Sequence, residues 1–187
     1  MNGLIEGHEN DMAAGVTLST MPTSPQLVRW YAAYTCSRHE KYVRRQLEQR
    51  AIECFLPLYR SMRRWKDRRK DVAIALFPGY VFVHIVLPQR QRVLELPGVV
   101  RLVSFNGMPV PLPEKEIEAL RDGLQQQIYA KPYPYLRAGQ KVRIVRGPMA
   151  GMEGILLRKK EKCRIVISVD VIMQSIAVEV DADDVET

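Results

Sequence analysis

Leu76-Phe77-Pro78-Gly79-Tyr80-Val81-Phe82-Val83-His84-Ile85-Val86 is the stretch whose reading decides the fold. Phe77 and Pro78 punctuate it, and Gly79 permits a close backbone approach. The aromatic and β-branched run that follows is long enough for one strand and too short to span a membrane. We read it as a central strand. Alternation along a strand sends Val81 and Val83 to one face and Tyr80 and Phe82 to the other. The valines suit a core. Two aromatics side by side form either a second buried layer or an exposed contact patch, and the strand alone does not choose between them.

On the N-terminal side, residues 30–35 are an apolar strand candidate, and Ser37 with Glu40 has capping-box spacing for a helix running to about Ala51. Val43, Leu47 and Ala51 fall on one stripe of that helix, while Arg38, Lys41, Arg44, Arg45 and Gln49 spread over the rest. Such a basic face is either solvated charge or a contact for an anion. Residues 53–59 read as a second strand. The next segment, 60–71, has seven cations among its twelve residues and no apolar periodicity, so it is expected to be a basic loop or hairpin tip. Its Arg63, Arg64, Lys66, Arg68, Arg69 and Lys70 could neutralise phosphates, and Trp65 could stack on a base, which fits nucleic acid better than an acidic small molecule.

On the C-terminal side, residues 89–96 suggest a short helix stopped by Pro97 and Gly98, residues 99–104 a strand, and Asn106-Gly107 a tight turn. Pro113 with Glu114 and Glu116 opens another helix, with Ile117, Leu120 and Leu124 on its buried face. The succession β-α-β-β-α-β-α fits an α+β domain, helices packed on a mostly antiparallel sheet of the split βαβ kind, over residues 28–127. Pro132 and Pro134 mark 128–137 as a stiff extended linker. In 138–187 the pattern changes to short alternating strands around Ile144, Ile165, Ile167, Ile176 and Val178, punctuated by glycines, which predicts a separate small all-β barrel. Residues 1–27, polar and without periodicity, read as a disordered leader.

The whole chain has 187 residues, 47% of them hydrophobic, enough for one or two domains with real cores. No apolar run reaches 18 residues and no signal-peptide pattern opens the chain, so a cytoplasmic protein with no membrane partner is expected. Cys36, Cys54 and Cys163 are too few and too scattered for a disulfide framework or a zinc site, so they are expected to be buried thiols; no metal or cofactor is expected. The net charge of +7 favours an anionic partner, and it is unevenly placed: −3 in residues 1–27, +8 in 28–125 and +2 in 126–187.

Trp30-Tyr31-Ala32-Ala33-Tyr34, the 77–83 stretch, Gly98-Val99, and then Gly139-Gln140-Lys141-Val142-Arg143-Ile144-Val145-Arg146-Gly147-Pro148-Met149-Ala150-Gly151-Met152-Glu153-Gly154 together resemble the NusG family of transcription elongation factors. The second motif is similar to the KOW motif, carried here by Gly139, Val142, Gly147, Gly151 and Gly154. The resemblance covers about residues 28–187 and implies an NGN domain followed by an SH3-like KOW barrel. It is closer to the specialised paralogues, RfaH and the UpxY antiterminators of polysaccharide operons, in residues 54–58, in the basic insert and in Leu76. Where RfaH has the acidic residue that pins its two domains together, this chain has Ile74, so fold-switching is not implied.

In function the resemblance implies a non-enzymatic, monomeric factor that binds the RNA polymerase β′ clamp helices through an apolar depression and suppresses pausing or termination. The matching positions are Tyr34, Phe77, Tyr80 and Phe82, so the aromatic face is expected to be exposed. The basic helix and insert would lie near upstream or non-template DNA, and the KOW barrel would recruit Rho or a small-subunit ribosomal protein. Two rivals belong to other classes. A KOW-type RNA-binding protein of the translation machinery would need more charge than 136–187 carries. An enzyme built on Cys36, Ser37 and His39 lacks a partner acid, and capping geometry does not aim neighbours at one another.

Overall fold

A computed structural model describes residues 27–65, 68–158 and 160–186, with side chains left aside at 63–70. The leader before Leu27 and the candidate residue Lys66 lie outside the described residues. In chain order the first domain contains β1 (Arg29–Thr35), α1 (Glu40–Gln49), β2 (Glu53–Phe55), β3 (Leu58–Trp65), β4 (Arg68–Ala75), β5 (Tyr80–Ile85), α2 (Arg90–Leu94), β6 (Val99–Leu102), β7 (Ser104–Phe105), β8 (Met108–Pro109), β9 (Pro111–Leu112) and α3 (Glu114–Gln125). The second contains β10 (Ala130–Tyr133), β11 (Lys141–Ile144), β12 (Glu153–Arg158), β13 (Lys162–Val169), β14 (Gln174–Asp181) and β15 (Val185–Glu186).

The first sheet runs β2-β5-β1-β6, with β9 also on β1, and every pair is antiparallel. Because β5 lies between β1 and β2 and opposes both, the β1-α1-β2 unit is a split βαβ. The quoted stretch is therefore an interior strand. Its valines enter one core with Tyr31, Val43, Leu47, Val93 and Leu96, under α1 and α2. Asn106 and Gly107 take φ of 49° and 78°, the left-handed pair that a two-residue turn needs, and close the β7–β8 hairpin.

The helix α1 starts differently from its capping-box expectation. No side chain caps it; the Glu40 carboxylate instead accepts a 2.7 Å hydrogen bond from the Gly79 amide, and the Ser37 carbonyl faces His39 Nδ1 at 3.0 Å. The acid thus ties α1 to the turn before β5. Of the two expectations for the basic segment, loop or hairpin tip, the second holds: β3 and β4 pair from Leu58↔Ala75 to Trp65↔Arg68, a two-stranded ribbon outside the main sheet. Only part of the cysteine expectation holds. Cys163 is buried and burial pushes the half-buried Cys54 thiol up to about 11, but Cys36 is exposed at the end of β1.

The six later strands form one antiparallel sheet, β10-β14-β13-β12-β11-β15, the small all-β barrel. Gly154 is required by close approach, since a methyl group there would stand 2.5 Å from Ile165 Cγ2 and 2.6 Å from the Val166 carbonyl oxygen. The 128–137 stretch is only partly a linker. Ala130–Tyr133 pairs with β14 as an edge strand, the position where a proline such as Pro132 costs a sheet least.

The two domains share a core. Trp30, Leu76, Phe77, Phe82 and Leu112 of the first sheet join Ile117, Ala119 and Leu120 of α3, and the cluster continues into the barrel through Val142, Ile144, Met149, Ile165 and Ile176. Gln174 Nε2 donates to the Pro78 carbonyl at 3.1 Å, directly before the quoted strand. A polar network fastens α3 to the sheet: Arg121 lies over the Trp30 ring at 5.1 Å and the Phe55 ring at 5.4 Å and pairs with Glu53 at 3.3 Å. His84 stacks on Trp30 at 4.6 Å and meets Glu53 at 2.7 Å.

Candidate functional site

The four aromatic candidates fall into two pairs. Phe77 and Phe82 meet edge to face at 5.7 Å and are 1% and 0% exposed; Phe82 also stacks near Phe55 at 6.2 Å. Their expected exposure is therefore corrected. The face of β5 opposite α1 is not free, because α3 and the barrel continue the same apolar cluster over it. Tyr34 and Tyr80 stand opposite one another on β1 and β5, with ring centroids 5.3 Å apart, and Tyr34 remains 36% exposed. Arg101 lies 5.3 Å from the Tyr34 ring centre. Partial burial pushes the Tyr80 hydroxyl up, with Tyr34 adding and Arg101 opposing. The result is a buried aromatic pair edged by an exposed aromatic and cationic rim.

The basic residues form a second surface. Arg38, Lys41, Arg44 and Arg45 are all exposed along α1 and its entry. Their roles differ: Arg44 pairs with Glu48 at 2.7 Å within the helix, while Lys41 Nζ donates to the Ala73 carbonyl at 2.6 Å. That last bond matters for the site, since it fastens the base of the β3–β4 ribbon to the first turn of α1. Segments separated in sequence are thereby brought side by side. In the ribbon's backbone register Arg63 is paired with Lys70 and Arg64 with Arg69. Arg60 at the ribbon's base pairs with Asp71 at 3.2 Å.

A cleft of about 500 Å³ opens at the start of α1, lined by Arg38, His39, Tyr42, Pro97 and Gly98. Tyr42 is 48% exposed and takes the His39 ring on its edge at 6.2 Å. Arg38 holds a left-handed backbone, φ 62°. The sequence reading named Arg38 but missed Tyr42 and the cleft, because Pro97 and Gly98 arrive from a distant turn through the Cys36 amide to Gly98 carbonyl bond of 2.8 Å. The His39 ring engages the Ser37 carbonyl through Nδ1 at 3.0 Å.

The KOW-motif residues surround one loop of the barrel. Val142 is buried; Gly147 and Gly151 bracket a turn closed by Ala150 N to Gly147 O at 3.1 Å and Gly151 N to Ile144 O at 2.7 Å. Gly139 precedes β11 and Gly154 lies within β12.

With this geometry in hand, residues 28–121 match the family described as "Transcription termination factor nusG". The transcription termination/antitermination protein NusG of Escherichia coli strain K12 is 34% identical over 134 residues, 68% of this chain and 70% of that protein. Its namesake in Yersinia pestis is 29% identical over 174 residues, 84% of this chain and 95% of the relative. Among solved structures, "Domain interaction in Thermotoga maritima NusG" superimposes with a TM-score of 0.52 at 22% identity, over 86% of this chain and 97% of that one. The chain belongs to the NusG family, whose members are transcription termination/antitermination factors and not enzymes. The NGN and KOW folds are those the family has, and no helix among the described residues is long and apolar enough to cross a membrane.

Proposed function

We propose that the chain is a specialised NusG paralogue of the RfaH and UpxY kind, binding the β′ clamp helices of RNA polymerase with the face built by Tyr34, Phe77, Tyr80 and Phe82. The observation that carries this is the rim: Tyr34 and Tyr80, with Arg101 beside them, edge an apolar layer in which Phe77 and Phe82 lie. A helix docks its apolar face on an apolar surface, where aromatic side chains are frequent anchors. In the arrangement described, the rim is reachable and the phenylalanines are not, so full engagement requires the barrel to move off. The second proposed contact is DNA, upstream or non-template, on the surface of α1, the β3–β4 ribbon and the cleft at Tyr42. An aromatic wall beside Arg38 suits an unpaired base, and the domain's charge excess suits phosphates. Freed, the KOW barrel would recruit Rho or a small-subunit ribosomal protein, and the joint outcome is suppressed pausing or termination in the cytoplasm.

The test is titration of the full-length protein with the isolated clamp-helix coiled coil. Tyr34→Ala and Tyr80→Ala should each weaken binding by about 1–3 kcal/mol, the range for truncated interface anchors, while the melting temperature changes little. Unchanged affinity in the double variant overturns the assignment of this face.

A further inference from the structure

Gly123 is out of place by local rules. It lies in the last turn of α3, a helix whose neighbours Ala119, Leu120 and Leu124 all favour helix, and alanine there would lose less backbone entropy on folding. The tertiary structure explains the choice. A methyl group at Gly123 would stand 2.6 Å from Met149 Cγ and 2.9 Å from Met149 Sδ, closer than packed carbon and sulfur atoms approach. Met149 belongs to the KOW loop of the barrel, is 1% exposed, and sits in the notch that the missing side chain leaves.

The loop presents this methionine as a knob. Its backbone is held at both ends by Val145 N to Asp184 O at 2.8 Å and Gly151 N to Ile144 O at 2.7 Å, and closed behind the knob by Met152 N to Met149 O at 3.2 Å. On the other side Ile128 N donates to the Gly123 carbonyl at 2.9 Å, fixing the end of α3 around the notch. The long Met side chain is apolar and adaptable, so it fills a helix groove without a demanding geometry and withdraws without leaving a buried charge. Elsewhere on the seat the apolar cluster shared by the two domains also holds the barrel, and polar contacts lie beside it. Gln174 makes one hydrogen bond to Pro78, and the negative charges of Asp170 and Glu153 on the barrel act on the carboxyl of Glu116 on α3. Within that seat Met149 is held by an interlock for which α3 gives up a side chain.

We propose that Met149 in the notch of Gly123 is a latch, which sets how much of the protein keeps the barrel seated over its aromatic face. Its meaning for transcription rests on the reading of that face as the clamp-helix surface. The latch itself is a statement about closure and is measured without any partner.

The experiment uses the full-length chain and reads two quantities, the radius of gyration by small-angle X-ray scattering and affinity for the isolated clamp-helix coiled coil. Gly123→Leu should enlarge the radius at unchanged helix and strand content, because the added side chain occupies the knob's place. Met149→Ala should do the same to a lesser degree. Combining Gly123→Leu with Met149→Ala should return the radius toward that of the parent, since the new side chain then fills the vacated space; general destabilisation would add in the double variant and not cancel. A parent radius in both single variants overturns the latch, as does a double variant more open than either. If Gly123→Leu does not fold, Met149→Ala against Gly123→Ala/Met149→Ala supplies the same comparison. Opening accompanied by at least several-fold tighter clamp-helix binding supports latch and face together. Opening with no change in binding upholds the latch and overturns the clamp-face reading.

Discussion

The two faces of the first domain contrast in how they are available. Its aromatic face is continuous with the interior of the barrel, with Phe77 and Phe82 fully covered and only the Tyr34–Tyr80 rim in solvent. Its basic face, on the side of α1, carries the exposed cations Arg38, Lys41, Arg44 and Arg45, and two of these are tethered within the same domain, Arg44 by Glu48 and Lys41 by the Ala73 carbonyl. A partner for the second face meets a surface already formed, while a partner for the first competes with an intramolecular one. The difference follows from chemistry. Cations lose hydration when covered and gain from remaining wet, whereas phenylalanines left in water cost about 25 cal/mol for each Å² exposed.

The contrast breaks most visibly at Phe82. As a residue of the shared core, Phe82→Ala should lower folding stability by about 3–5 kcal/mol, read as a large fall in melting temperature. A variant that melts like the parent would mean the face is open in solution. Removing Arg63, Arg64, Arg68, Arg69 and Lys70 should sharpen the other side of the comparison. Each lost phosphate contact flattens the slope of log affinity against log salt for DNA by about 0.7 to 0.9, while binding to clamp helices is unchanged. Trp65→Ala should add about 1–3 kcal/mol of loss on single-stranded DNA and less on duplex. An unaltered slope would reduce the ribbon to a solvated projection.

The smallest effect concerns pH at the seat of the barrel. Glu116 is held above the ordinary carboxylate range, first by partial desolvation and then by Asp170 and Glu153. An acid whose value is raised on closing favours the closed form at pH below its open-form value, and that contribution is lost as pH rises through the closed-form value. Scattering at pH 4 to 7 should therefore show modest opening with rising pH, and Glu116→Gln should flatten the trend. A parent profile retained in that variant would remove Glu116 from the balance.

Periodicity and turn chemistry made the elements of both domains legible: the interior strand of Val81 and Val83, the stripe of Val43 and Leu47, the Asn106-Gly107 turn and the alternating strands around Ile165 and Ile176. These signals are local, and each residue's own neighbours suffice to express them. The basic segment was legible as charge and as a loop or hairpin tip, though the length of its strands was not, because a cationic ladder has no apolar face to betray its alternation. The destination of Glu40 was illegible. Capping-box spacing and a tertiary bond to Gly79 compete for the same carboxylate, and the winner depends on where β5 lies. Sequence by itself determined which residues are apolar, aromatic or charged, and at what period. Only the tertiary structure decided which aromatic side chains are covered, which distant turn walls the cleft at Tyr42 and why α3 carries a glycine, since coverage depends on a second domain whose position no local pattern encodes.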